Sequence, residues 1–248
     1  MLNLLIDIGN TNIKTAFSAG KRLYNIKKKG YSKSNFEISF RKALVFGNIK
    51  FDYTGVCCLN KKHKSAINKI LKDKYSVKPF FAEYNVTLPL KLDYEKSIGN
   101  DRICSAVAAS VKYKDKKNIL VVDFGTATTY NLIVGKQFIG GLITPGIRTS
   151  LLSLNSEADL PLTEIKNIKH LISNKTRTNI LSGIIHQSLF TTEGIINSLK
   201  KNYKDLFVIS TGGLSELISG KTCLIDRNEK NLVLEGINIL LNLNSTIH

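Results

Sequence analysis

An α/β protein built as two similar halves is what this 248-residue sequence predicts, and three observations carry that expectation. First, LLIDIGNTNIKTAF at residues 4–17 is an apolar strand that stops at Asp7, turns through small polar residues and resumes as a second strand. Second, ILVVDFGTATTYNLI at residues 119–133 repeats that design halfway along the chain, with Asp123 standing where Asp7 stands. Third, the remainder of each half alternates strand-like runs with helix-like periodicity, the signature of mixed α/β architecture.

The elements follow in order. Residues 4–8 and 12–17 form a hairpin, with residues 21–27 as its third strand; residues 120–124, 129–134 and 136–139 repeat the meander. Residues 51–59 predict a buried strand, because Val56, Cys57, Cys58 and Leu59 are continuously apolar. Residues 62–75 predict a helix on Ala66, Ile67, Ile70 and Leu71, and residues 102–113 another on Ile103, Ala106, Val107 and Val111. In the second half, residues 178–203 make a long helical pattern that tolerates Gly183 and Gly194. Residues 206–210 predict a strand ended by Thr211-Gly212-Gly213, and residues 232–243 a closing helix. Gly140-Gly141 and Pro145-Gly146 predict loops. The boundary falls in residues 112–118, giving domains 1–115 and 116–248, with a ligand cleft expected between them.

Composition narrows the function classes. A hydrophobic content of 43% with 22% charged residues is that of a soluble globular chain, and no apolar run reaches the roughly 18 residues of a membrane span. The N-terminal strand carries Asp7 and lacks a basic leader, so no signal peptide is expected and the location predicted is cytoplasmic. Cys57, Cys58, Cys104 and Cys223 have no CxxC spacing and read as free thiols; with four histidines equally unspaced, zinc is not expected. The net charge of +17 favours anionic partners. Its densest runs, Lys27-Lys28-Lys29 and Lys61-Lys62-His63-Lys64, have no interleaved stacking aromatics, so a solvated basic surface is expected and no dedicated nucleic-acid site.

A strand that ends in Asp-x-Gly and turns sharply points backbone N–H groups outward, and glycine permits close approach of a ligand. Asn and Thr side chains add hydrogen-bond groups, Lys14 adds a point charge, and the aspartate can hold a cation or its water. A simple hairpin turn would use the same residues. Two aligned copies, one heading each half, favour the phosphate reading.

Two such loops and the late turn Ser210-Thr211-Gly212-Gly213-Leu214 resemble the superfamily of acetate and sugar kinases, Hsp70 and actin. That resemblance implies two ribonuclease-H-like domains, an actin-like ATPase duplication with ATP in an interdomain cleft. Three further stretches resemble one family within it, type III pantothenate kinase. Gly99-Asn100-Asp101-Arg102 fits GxDR, residues 123–128 fit DxGTAxT, and GGLITPG at residues 140–146 fits GGxIxPG. With DIGNTNIK at residues 7–14, the motifs span almost the whole chain in the family's order.

The resemblance implies transfer of the ATP γ-phosphate to the primary hydroxyl of pantothenate, the first step towards coenzyme A. It implies that Gly99, Asn100, Asp101 and Arg102 contact pantothenate and that Asp101 accepts the hydroxyl proton. A carboxylate beside Arg102 is expected to stay ionised, and the guanidinium fork suits the substrate's carboxylate; a helix cap with a local ion pair is the alternative. Asp7, Ile8, Gly9, Asn10, Thr11, Asn12, Ile13 and Lys14 are implied around the ATP phosphates, Thr126 as a further ATP contact, and Asp123 as ligand of a monovalent cation, K+ or NH4+. Mg2+ should accompany ATP. Thr176 stands in the register of a substrate-contacting threonine, with Thr178 competing and a helix N-cap as the alternative for either. Tyr94 lies about two residues closer to GNDR than the family's substrate tyrosine, so it reaches the site from a tighter loop or packs in the core. The family implies a homodimer, for which the helix at 178–203 offers an apolar stripe that could equally serve the core. Two other readings remain: another small-molecule kinase or phosphatase on the same fold, and a non-enzymatic transcription accessory or nucleic-acid-binding protein.

Overall fold

The computed structural model describes residues 1–47 and 49–245. The chain divides into one unit of residues 1–112 joined by the C-terminal helix, and a second unit of residues 113–231.

The first unit is built on strands β1 (Leu2–Ile8), β2 (Asn12–Ala19), β3 (Arg22–Gly30), β4 (Tyr53–Cys58) and β5 (Phe80–Phe81), with the short β6 (Lys91–Leu92) further on. The sheet order is β3-β2-β1-β4-β5: β1 pairs antiparallel with β2 and parallel with β4. Side chains alternate across the sheet, so Leu4, Ile6 and Ile8 face one way and Leu5 and Asp7 the other. The first face packs with Phe36, Phe40 and Ala43 of α1 (Phe36–Ala43) and with Ile67, Ile70 and Leu71 of α2 (Lys64–Tyr75) into one core. The second face is covered by α3 (Asn100–Lys112) and the closing helix α7 (Leu232–Ser245). Residues 102–110 of α3 are all buried; sequence periodicity predicts only a stripe, and the small Ser105, Ala106, Ala108 and Ala109 let both flanks pack.

The placement of α7 differs from a boundary that assigns residues 116–248 to one domain. The chain returns at Leu232, and α7 packs on α3, β1 and β4. Polar anchoring fixes it there. Ser18 Oγ donates to Asn238 Oδ1 at 2.7 Å, Asn238 Nδ2 donates to Gly20 O at 2.7 Å, and Lys112 pairs with Glu235 at 3.1 Å. The two helices touch backbone to backbone: a Cβ added to Gly236 would stand 1.9 Å from Cys104 O.

The second unit repeats the design with β7 (Asn118–Phe124), β8 (Ala127–Val134), β9 (Gln137–Pro145), β10 (Phe207–Thr211) and β11 (Arg227–Asn228), ordered β9-β8-β7-β10-β11 within the unit. Leu120, Val122, Phe124, Tyr130 and Leu132 of the sheet pack with α4 (Ile147–Ala158) and α5 (Thr176–Lys200); a short α6 (Ser215–Ser219) follows β10. The stripe of α5, including Ile180, Leu181, Ile184, Ile185, Leu189 and Ile196, enters this core. Gly140-Gly141 and Pro145, expected in loops, lie inside β9, where the ladder with β8 shifts register between Leu132 and Ile133. The shift absorbs the glycines as an irregularity of the strand. Helices α1 and α4 have no counterpart in the sequence-based expectation.

Gly236→Ala is expected to lower the stability of the chain by about 3 kcal/mol, because neither backbone can yield to the new methyl group. Gly183 of α5 has nothing within 4 Å of an added Cβ, so Gly183→Ala should raise stability by about 0.5 kcal/mol. Urea titrations of the two variants against wild type read both outcomes.

Candidate active site

In the first unit, β1 ends at Ile8 and the chain turns through Gly9, Asn10 and Thr11 into β2, closed by Gly9 N donating to Asn12 O at 3.0 Å. Asp7 lies opposite Lys14 on β2 and opposite Cys57 on β4. One residue braces the turn from outside: Tyr31 donates its backbone N–H to Thr11 O at 3.0 Å and its Oη to Gly9 O at 2.6 Å. The Tyr31 ring packs edge-on against Phe36 and His63. Burial, then the charges of Cys58 and Asp7, hold its phenol above the ordinary value. No local pattern after Lys27-Lys28-Lys29 points to Tyr31; only the folded register of β2 on β3 brings it to the turn.

The GNDR stretch arrives beside this strand end because Asn100 Nδ2 donates to Cys58 O at 3.0 Å, and Cys58 is the strand partner of Ile8. Asp101 then occupies the first turn of α3, its Oδ1 accepting from Arg102 N at 2.8 Å. Its neighbour Arg102 favours the ionised form. Burial outweighs that attraction and pushes the Asp101 carboxyl above the ordinary carboxylate value, against the opposing Arg102 N–H and charge. The thiol of Cys57 is pushed well up by its contact with Cys104 and by burial, and the charges of Asp7 and Asp101 add to the shift. Arg102 is 6% exposed; its Nη1 donates to Tyr94 Oη at 3.3 Å and its guanidinium lies 5.0 Å from the Tyr94 ring centroid. Tyr94 is therefore half-buried against the GNDR arginine and stands outside the two main cores.

In the second unit three sequence motifs converge on the end of β7. Gly125 N donates to Ala127 O at 3.1 Å, closing a turn one residue tighter than its counterpart, since only Gly125 and Thr126 separate β7 from β8. Gly146 of GGLITPG donates its N–H to Thr126 O at 3.1 Å, and a Cβ there would collide with Gly125 O at 2.4 Å. Thr149 Oγ1, which no motif singles out, donates to the same Thr126 carbonyl at 2.5 Å. Gly212 of the late Thr-Gly-Gly turn, at φ +97°, leans on the strand end so closely that a Cβ would lie 2.4 Å from Asp123 Oδ1. Asp123 is paired in register with Thr129 on β8 and Thr211 on β10. Thr176 is the exposed first residue of α5, with Lys175 as the cap, and Thr178 lies half-buried in the first turn.

A repeated strand-end aspartate on a duplicated mixed sheet defines a class, the actin-like ATPase and sugar-kinase fold. The chain matches a ROK hexokinase from Thermus thermophilus with a TM-score of 0.54, at 13% identity over 100% of both chains. Within that class, residues 3–198 match the model of the type III pantothenate kinase family. The chain is 34% identical to a type III pantothenate kinase of Christiangramia forsetii, over 99% of this chain and 100% of the relative. It is 30% identical to one of Syntrophotalea carbinolica, over 96% and 97%. The chain belongs to the type III pantothenate kinase family, whose members phosphorylate pantothenate in the first step of coenzyme A biosynthesis.

Two glycine variants separate chemistry from folding. A Cβ on Gly99 would stand 2.6 Å from Asp101 Oδ1, the mobile end of a side chain, so Gly99→Ala should displace the carboxylate and lower kcat by about 10²-fold while stability holds. At Gly212 the obstruction is the Phe124 backbone at 2.7 Å and the dihedral is unfavourable, so Gly212→Ala should lower the melting temperature as well as the rate. Steady-state kinetics and thermal melts on the same preparations distinguish them.

Proposed function

We propose that this chain is an ATP-dependent pantothenate kinase in which Asp101 accepts the proton of the attacking hydroxyl. The observation that carries the reading is the Asp101 carboxyl, lifted by burial and oriented by the Arg102 N–H, at the helix start that Asn100 ties to the strand beside Asp7. A base with a raised pKa takes a proton more readily once ionised, which suits it to assist phosphoryl transfer to an alcohol.

The other roles follow the local geometry. The turn from Asp7 to Lys14 offers backbone N–H groups and one ammonium to the ATP phosphates, with Tyr31 holding its carbonyls outward. Ile8 and Ile13 are buried strand partners, so their contribution is through the backbone. Thr126, with its carbonyl already engaged by Gly146 and Thr149, is the proposed ATP contact of the second loop. Gly99, Asn100 and Arg102 line the start of α3 for pantothenate, Tyr94 stacks on Arg102 to steer its fork towards the substrate carboxylate, and Thr176 is a further substrate contact.

Among the described residues no group of three His, Cys, Asp or Glu could hold a metal ion. Asp123 stands in register with Thr129 and Thr211 on the flanking strands, and a carboxylate among hydroxyl-bearing residues is a hard oxygen set that suits a monovalent cation. Mg2+ fits as an ion held largely by phosphates and water. Such cations supply charge neutralisation at the phosphates; the chain's own part is to fix the carboxylate in its glycine-walled position. No helix among the described residues is long and apolar enough to cross a membrane, and a cytoplasmic homodimer is the proposed state. Phe190 of α5, 55% exposed beside a stripe otherwise committed to the core, supports an assembly face there.

Turnover with ATP and pantothenate tests the whole reading: absence of pantothenate-dependent ADP release overturns it. Asp101→Asn is expected to lower kcat by about 10²- to 10⁴-fold. In wild type the rate should fall with decreasing pH through the raised Asp101 pKa, an acid limb above the ordinary carboxylate range that Asp101→Asn abolishes. The linkage sign is opposite for stability. A carboxyl whose folded pKa exceeds its unfolded one destabilises the fold above the folded pKa, and the cost is relieved as pH falls towards the unfolded value. Asp101→Asn should therefore melt above wild type at neutral pH. Rates should also rise with K+ or NH4+ over Na+ in wild type, and this dependence should vanish in Asp123→Asn.

A further inference from the structure

The proposed kinase reading leaves the run Lys27-Lys28-Lys29 unused. In the fold this run lies on β3 against β2, with Lys29 paired to Ile13 and Lys27 to Thr15. The ladder shifts register just beyond Thr15, and α1 covers the neighbouring Phe17 end of the same face. Between the strand edge and the end of α1 a cavity of about 210 Å3 opens, lined by Ile13, Thr15, Lys27, Lys28, Lys29 and Lys42. Ala43 and Val45 close its helix side. Lys27, Lys29 and Lys42 therefore flank one small cavity, to which Lys28, paired with Lys14, adds backbone only, and no carboxylate is among its lining residues.

Its floor carries a second, independent sign. Thr15 is 1% exposed, and its Oγ1 has no hydrogen-bond partner among the described residues. A buried hydroxyl without a partner is a costly group to retain, and an oxyanion entering the cavity would satisfy it. Lys27 is already held at the rim, its Nζ donating to Val45 O at 3.3 Å and lying 5.6 Å from the Phe46 ring centroid. The cavity is separate from the turn that heads β2. Side chains alternate along β2, so Ile13 and Thr15 face α1 while Lys14, opposite Asp7, points to the other side of the sheet.

We propose that this cavity is a second anion site, which takes a compact phosphate or diphosphate group with Thr15 Oγ1 donating at its base and Lys29 and Lys42 closing over it. Lysine suits this role as a point charge. A cavity of about 210 Å3 matches a single phosphate or diphosphate group, so the ligand class is a small phosphorylated molecule or the free ion.

Residue-resolved amide NMR titrations with pyrophosphate, with inorganic phosphate and with ADP test the site and distinguish its sources. The expected result is saturable shifts at Thr15, Lys29 and Lys42, separate from any shifts at residues 9–14. The ion that saturates them at the lowest concentration identifies the source. A Lys29→Gln/Lys42→Gln double variant should weaken pyrophosphate binding at these amides at least tenfold. A Lys61→Gln/Lys62→Gln control, with the same charge change, should leave it within twofold. Equal weakening in both doubles, or no cavity shifts at millimolar pyrophosphate, overturns the proposal, as does a response confined to an RNA oligonucleotide spread over both lysine runs. Thr15→Val is expected to raise the melting temperature and weaken pyrophosphate binding about fivefold. A raised melting temperature with unchanged binding would mean that the hydroxyl serves no ligand and the built site is absent.

Discussion

Everything chemical in this chain depends on one constraint, imposed twice: a central strand must stop at an aspartate while its neighbours on both sides stay paired. In the first unit β1 stops just beyond Asp7 between its hairpin partner β2 and the parallel β4; in the second, β7 stops just beyond Asp123 between β8 and the parallel β10. Parallel neighbours bring several carboxyl ends to one edge, which is where open α/β sheets bind ligands. In the first unit that edge gathers Asp7, Cys58 and, through Asn100, the start of α3. In the second it gathers Asp123, the Thr126 turn, Gly146 and Gly212.

Packing and function compete most openly at α3. Its residues 102–110 are buried throughout, with α7 pressed against it at the Gly236–Cys104 contact. A helix so enclosed holds its first turn rigidly, and the same enclosure desolvates Asp101 and buries Arg102. Sites that hold ionisable groups in such surroundings sacrifice stability for a shifted pKa. The Tyr94 ring engages the guanidinium through a neutral face and so helps to orient the fork.

Much of this was legible in the sequence because the decisive signals are local. Asp-x-Gly after an apolar run, repeated at Asp123, marks both strand ends, and GNDR marks the helix start. What escaped depends on tertiary context. Gly140-Gly141 looks like a turn by composition, yet β8 pairs along it and a register shift accommodates it. Gly236 looks like a weak helix residue until Cys104 is seen against it, and this contact is also why α7 joins the first unit. The upward shift of Asp101 is hidden from a sequence, which shows the adjacent Arg102 charge but not the burial. Tyr31 and Thr149 are distant in sequence from the turns they brace, so no spacing rule reaches them.

The two loops, alike in topology, have diverged in how they are built, and the difference has a physical direction. The first turn is one residue longer and held by hydrogen bonds from Tyr31, which engage the carbonyls of Gly9 and Thr11. A turn of that kind attracts anions, and Lys14 opposite Asp7 adds to the attraction. The second turn is tighter and closed in by two glycines whose missing side chains let backbone approach Asp123 and the Gly125-Thr126 peptide. On the proposed roles, the duplication would yield two complementary sites from one motif, an anion grip at the braced first turn and a cation seat at the glycine-walled second. The division of roles proposed for Asp7 and Asp123 follows from that asymmetry, since identical loops would offer no reason for one aspartate to serve phosphate and the other a monovalent ion.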